Sequence, residues 1–456
     1  MTRRRVSTAA PAGRARRGRT RGGYPGAGPV DPGQVGRTGA GWGSRGAGRA
    51  QEWVVGTVSS APPGPVSRPV GRRVHSLDWL RMLALAGVFV FHTLRPFDSD
   101  YWHVKAAQQS ELLTEVLTAL GSWGLSFFFL VSGAGTYLAL LWRSGGAYVR
   151  ERVLRLGVPL VVVWLLLGPV QLWLEVHHHG LTDDSLPSVT WVFLSEPFER
   201  PPVVVGHSYV LWFIVYLLEF SLLGLPIFLW LRGPTGQRLM DRAGRLGERR
   251  GAVLLLFVPV ALVTLPLAGD LFEEEHGWGQ WAYFFGFFVM GHVLMTQPRL
   301  VAAVRRDVVP ALALGAGGVA AVFALDAPGF FDTWEGQVWQ WPAVLLLVLI
   351  AAQAWGWVLA LWGLGMRAPA FQRPLPRVVA DAAMPFFVLH QAVIVAVAYV
   401  VVQWDLSVPA SWALVAVPSL VVAAAMAALV SVTPGVRRLL GVKPARRGSP
   451  TITASA

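Results

Sequence analysis

The sequence predicts an all-α membrane protein: a polytopic bundle of about ten transmembrane helices, with both termini in the cytoplasm. Three observations lead there. Of 456 residues, 54% are hydrophobic and only 14% charged, a balance foreign to ordinary soluble domains. Apolar runs recur that are long enough to cross a hydrocarbon core of about 30 Å. The basic residues are also distributed unevenly. Fourteen of the 39 Lys+Arg precede residue 74, and 21 more lie in alternate loops and the C-terminal tail. The intervening loops are acidic, as in DLFEEEHG at 270–277. That alternation is the positive-inside pattern.

In order, the runs are about 77–97, 119–142, 154–175, 208–231, 252–269, 278–296, 307–325, 338–363, 378–402 and 408–432. Basic loops at 143–155, 232–250, 299–306 and 367–377 separate every second pair, and 437–447 follows the last. Residues 1–72 are Gly/Pro/Arg-rich and are expected to be a disordered basic tail. Residues 73–436 form the transmembrane domain, and 437–456 a basic cytoplasmic tail. The net charge of +13 thus reports orientation and contact with the lipid bilayer. No nucleic-acid partner is expected. The chain has no cysteine, which excludes disulfides, thiolate metal sites and a cysteine acyl-enzyme.

The first run, LDWLRMLALAGVFVFH (77–92), carries Asp78, Arg81 and His92. Ionisable groups in a membrane helix are costly and usually mark a site. From Arg81 to His92 the helix turns three times plus about 20° and rises about 16 Å, so the two share one face. Asp78 is three residues before Arg81, at pairing distance. Arg81 and Asp78 lie near the cytoplasmic surface, and His92 well across the bilayer. A capping ion pair and a hydrogen-bonded interhelical histidine would be the structural explanation.

Further stretches follow in order: SFFFLVSGAGTYLAL (126–140) with Ser132-Gly133, RERVLRLGVP (150–159) with Arg152 and Arg155, GHSYVLWFIVYLL (206–218) with His207 and Trp212, and ADAAMPFFVLHQAVI (380–394) with His390. Together with an Arg, ten residues, then a His in the first helix, this succession resembles the acyltransferase-3 family of integral-membrane O-acyltransferases. The likeness covers residues 75 to about 432. The spacing from His207 to Trp212 is wider than the family's tight His-Leu-Trp-Phe. The resemblance implies transfer of an acyl group, often acetyl or succinyl, to extracytoplasmic sugars, glucans, antibiotics or lipid-linked glycans. It does not choose among them.

Acyl transfer from a thioester to a hydroxyl needs a base, donors for the oxyanion and an anchor for the acyl carrier. His92 has the ground-state pKa of a base, and His390 is a candidate partner. Acyl-CoA is expected as co-substrate, with no bound cofactor and no metal. Arg152 and Arg155, three residues apart on the cytoplasmic side, suit its phosphates, and Arg81, nearer the membrane, suits a donor phosphate or the pantetheine arm. They also satisfy the positive-inside rule without any ligand. Asp78, Ser132, His207 and Trp212 complete the candidate substrate contacts. Of the remaining polar groups, Glu219 reads as a proton relay or a protonated structural residue. His292 reads as structural, and the adjacent His177, His178 and His179 cannot share one face around a metal. Two other readings remain: a proton-coupled secondary transporter of a sugar or glycan precursor, and a scaffold or sensor without catalysis. Carriers commonly show an inverted repeat, and none is evident here.

Overall fold

In the computed structural model, residues 75–195, 209–268, 277–327 and 341–442 are described. The tail expected over 1–72, His207 and the chain after 442 lie outside them. The described residues belong to one compact unit, Pro69–Ala456, and are helical with no strand among them.

Helix α1 spans His75–Leu94, with Asp78 in its first turn and His92 in its last, the arrangement the helix dipole favours. Pro96 follows, and the chain tightens into a 3-10 turn at Arg95–Phe97. Helix α2 (Glu111–Trp142) is N-capped by Ser110, whose hydroxyl accepts from the Leu113 amide at 3.4 Å. It is longer at its start than the apolar run alone suggests, because its first two turns carry polar residues. Helix α3 (Gly145–Arg152) runs through a π-helical turn at Val153–Gly157 into α4 (Val158–His178). Pro159, with no amide hydrogen, leaves the Arg155 carbonyl without its helical donor. Gly441 fills the space beside it: a Cβ there would lie 2.6 Å from that oxygen, and its φ of +73° favours glycine.

The chain continues through α5 (Leu186–Ser195), α6 (Trp212–Leu231), α7 (Pro234–Gly247) and α8 (Val258–Thr264). Next come α9 (Trp278–Thr296), α10 (Pro298–Arg306), α11 (Val308–Asp326) and α12 (Trp341–Arg367). It ends with α13 (Arg377–Val401), α14 (Val408–Val432) and the short α15 (Val436–Leu439). Among the described residues, eight helices are long and apolar enough to cross a membrane, and α9 with α10 makes a ninth if that pair, bent by 107°, is one span. The run expected to cross at 252–269 is a shorter, broken helix over Ala252–Leu267. Pro259 and Pro266 divide it into 3-10, α and 3-10 pieces, because each removes a backbone donor.

Close backbone contact holds the centre together. A Cβ on Gly133 of α2 would stand 1.8 Å from the Phe288 carbonyl of α9, and one on Gly291 would stand 1.9 Å from the Leu130 carbonyl. Small residues at crossings are how apolar helices approach without a hydrophobic drive between them. Around this crossing Phe129 packs on Phe213, Phe220 and Phe284, and Trp355 of α12 is fully buried.

Candidate active site

Helix α1 carries the site at its two ends. Near its start, the Arg81 guanidinium pairs with Asp78 at 3.2 Å. It lies against the bare backbone of Gly135 in α2, where an added Cβ would meet Arg81 Nη2 at 2.0 Å. The same end of the bundle holds the α3–α4 arginines. Arg152 donates to the Thr136 hydroxyl at 3.1 Å and lies over the Tyr148 ring at 4.9 Å. Tyr148 itself shares a hydrogen bond with Thr136 at 3.0 Å. Arg155 pairs with Glu151 at 3.4 Å and donates from Nε to the Gly441 carbonyl at 3.2 Å. The π turn that begins after Arg152 changes the rotation between the two arginines. One guanidinium is therefore tied to α2, and the other to Glu151 and the C-terminal turn.

At the other end of α1, His92 meets His390 of α13, with ring centroids 5.3 Å apart at 75°. The structure thus brings together two histidines 298 positions apart in sequence. His390 is fully buried, walled by Phe89, Phe386 and Phe387. Its Nδ1 lies 2.6 Å from the Phe387 carbonyl. A carbonyl only accepts, so Nδ1 carries the hydrogen and neutral His390 keeps a bare lone pair on Nε2. That Nε2 is buried without a hydrogen-bond partner, as is Nδ1 of His92.

Beyond this pair, the 98–106 loop folds back into the bundle and buries Trp102 and Val104. Asp98, fully buried, anchors the loop by pairing with Arg95 and, at 2.6 Å, with Lys105. Burial lowers the Lys105 pKa, while Asp98 opposes the shift. The fold-back sets His103 Nδ1 3.1 Å from Glu175 Oε2 of α4 and His103 Nε2 2.9 Å from the Gln391 amide nitrogen. Tyr101 donates to the other Glu175 oxygen at 2.6 Å, and burial and that carboxylate raise the pKa of its phenol.

The other predicted residues are placed as follows. Ser132 offers its carbonyl to Thr136 at 3.1 Å, and its neighbour Gly133 is consumed by the α2–α9 crossing. Trp212 starts α6 and stacks on Phe284 at 6.2 Å, within the aromatic core. Glu219 accepts from the Trp281 indole at 2.8 Å. His292 is buried and stacked on Phe228 at 3.8 Å. The three adjacent histidines diverge: His177 faces the Trp173 carbonyl, His178 accepts from the Lys105 amide, and His179 meets the Trp102 carbonyl.

Sequence reasoning missed His103, Glu175 and Gln391. Glu175 was visible as the charge closing the third apolar run. His103 and Gln391 carry no local signal, because only the fold-back of the loop brings them to it.

An acyltransferase-domain profile matches residues 74–430, a stretch that encloses every candidate named above. The chain belongs to the acyltransferase-3 family. Two curated relatives share part of it. Glucans biosynthesis protein C of Escherichia coli strain K12 is 26% identical over 170 residues, 35% of this chain and 40% of the relative. Its namesake in Salmonella paratyphi B is 25% identical over 158 residues, 34% and 38% respectively. The chain thus spans about two-fifths of the length of these relatives. No solved structure matches it. Family and helices together make it a multi-pass membrane protein carrying an acyltransferase domain.

Proposed function

We propose that the protein moves a short acyl group, acetyl or succinyl, from acyl-CoA to a hydroxyl of a sugar, glycan or other extracytoplasmic acceptor at the cytoplasmic membrane. The observation that carries this reading is the pairing of His92 with His390 about 16 Å along α1 from Arg81. A cationic end suits a cytoplasmic polyanion, and an imidazole pair suits proton transfer.

In the proposed reaction the acceptor hydroxyl oxygen attacks the thioester carbonyl carbon. His92 takes the hydroxyl proton on Nε2. The tetrahedral intermediate then collapses, the C–S bond breaks, and the CoA thiolate leaves with the proton that His92 returns. His390, held by Phe387 with Nε2 bare, favours the His92 tautomer that has its hydrogen on Nδ1, which leaves Nε2 free to act. It also steadies the imidazolium during transfer. Arg81, Arg152 and Arg155 receive the phosphates and the arm of the donor.

The name of the curated relatives, which places them in glucans biosynthesis, supports a carbohydrate acceptor. The test is to give purified protein labelled acetyl- and succinyl-CoA, and to compare surface glycans with and without the gene by mass spectrometry. Turnover and a lost mass of one acyl group support the reading. Transport of an unmodified sugar with no acyl transfer overturns it.

A further inference from the structure

Helix α7 (PTGQRLMDRAGRLG) has no part in the proposed chemistry. It is too charged to cross a membrane, yet Leu239 is 45% exposed and Leu246 43%. Its neighbour α10 is bent 107° from α9 and so lies across that apolar helix. The last turn of α7 runs along the start of α10. A Cβ on Gly244 would stand 3.4 Å from Gln297, and one on Gly247 would stand 2.8 Å from Leu300. Arg306 staples this contact by donating to the carbonyls of Gly247, Glu248 and Arg249 at 3.1, 2.9 and 2.8 Å. At about 100° per residue, α7 has four distinct sides. Gly236, Met240, Gly244 and Gly247 are buried against the bundle. Opposite them stand Arg238, Arg242 and Arg245, all exposed and within about 60° of one another. Leu239 and Leu246 take one of the flanks between, and Gln237 and Asp241 the other.

We propose that α7 is an interfacial helix that binds the headgroups of anionic phospholipids in the cytoplasmic leaflet. The order of its sides selects the partner. With the leucine flank entering the acyl-chain boundary, the Gln237–Asp241 flank faces water and the arginines project sideways at headgroup level. A soluble polyanion needs the cations but not the bare leucines, and the positive-inside rule asks for charge but not for this order. The nearby carboxylates are already engaged: Asp241 accepts from Gln297 at 2.9 Å, and Glu248 pairs with Arg299 at 3.2 Å. Among the described residues, no ion pair or hydrogen bond holds the guanidiniums of Arg238, Arg242 or Arg245. The negative surface of the cytoplasmic leaflet complements them. The end of the bundle is the one that holds Arg152 and Arg155: a Cβ on Gly145, at the start of α3, would touch Leu225 and Leu229 near the end of α6 that leads into α7. The inference does not depend on the acyl-transfer step.

The test reads lipid retention. Full-length protein is placed in nanodiscs of equal parts phosphatidylglycerol and phosphatidylcholine, and native mass spectrometry counts the lipids it keeps on release. Wild type should keep an excess of phosphatidylglycerol that shrinks as salt is raised before release. Replacing Arg238, Arg242 and Arg245 by Gln should lower that excess about fivefold for each arginine removed, while Lys at all three positions should preserve most of it. Leu239→Ser with Leu246→Ser should lower it too, with no change in charge. Equal counts of the two lipids in wild type, or an excess that survives the triple Gln substitution, overturn the proposal. Should the Gln variant fail to fold, the wild-type count and its salt dependence decide alone, because a purely topological role leaves the purified protein indifferent to headgroup charge. Free coenzyme A should leave the phosphatidylglycerol count unchanged. Its displacement of the lipid would make the arginines a collecting surface for soluble polyanions and overturn the lipid assignment.

Discussion

His390 shows what a single residue can determine. Its Nδ1 is spent on the Phe387 carbonyl, so its only free nitrogen is a lone pair in an aromatic box beside His92. If His92 is the general base, His92→Ala should cut turnover by roughly 10²–10⁴-fold with little change in folding or donor affinity. His92→Gln should be nearly as inactive, since an amide hydrogen-bonds but cannot take the proton. A purely structural histidine gives the reverse ranking in activity and melting assays: Gln active, Ala unstable. Arg81 allows a second test at this scale without deleting a charge. Gly135→Ala places a methyl where the guanidinium now lies. Arg81 is long and its end can swing away, so the protein should fold. Acyl-CoA should then bind about tenfold more weakly, the loss of one charge-assisted contact. Unchanged affinity by calorimetry would show that Arg81 serves only its pair with Asp78.

At the scale of elements, the α3–π–α4 unit shows how much of the site could be read in advance. Arg152 and Arg155 were legible because an Arg-x-x-Arg before a proline is a local pattern. Their directions were not legible. Helical periodicity puts them on one face, but Pro159 precludes the regular hydrogen bond to Arg155, and the chain relaxes into a π turn. Each guanidinium therefore already has a protein partner, and a phosphate must share it. Arg152→Ala with Arg155→Ala should weaken acyl-CoA binding, and Lys at both positions should restore it only in part, because an ammonium cannot bond Thr136 or Glu151 and a phosphate in a planar fork. Equal affinity in wild type and double mutant would return both residues to a positive-inside role. The Ser132-Gly133 pair was likewise legible as a motif but not as a contact. Its glycine is explained by the Phe288 carbonyl of α9, which lies against it in space and 155 residues away in sequence.

At the scale of the whole molecule, the bundle was legible because hydropathy and loop charge are summed over many residues and tolerate local error. At 252–269 two prolines cut an apolar run that composition alone could not divide. The outer polar cluster was illegible for the opposite reason: His103, Glu175 and Gln391 are joined only by tertiary contact. The two-sided chemistry now depends on orientation. Arg81, Arg152 and Arg155 must face the cytoplasm, where acyl-CoA is made, and the His103–Glu175 end must face out. Reporter fusions after residues 145, 241 and 372 should therefore read cytoplasmic, and fusions after 200, 275 and 334 extracytoplasmic. The fusion after 275 is the most demanding. It follows the broken Ala252–Leu267 helix, which is too short to cross unaided, so an outward reading there requires the bundle to carry that segment across with thinned lipid or buried ends. A cytoplasmic reading at 275 with the other five sites as expected would make this segment re-entrant and, because 334 stays outside, would mean that the bent α9–α10 pair does not cross either; the site would remain intact. An inversion at 145 or 200 would put donor and acceptor ends on the wrong sides and end the mechanism.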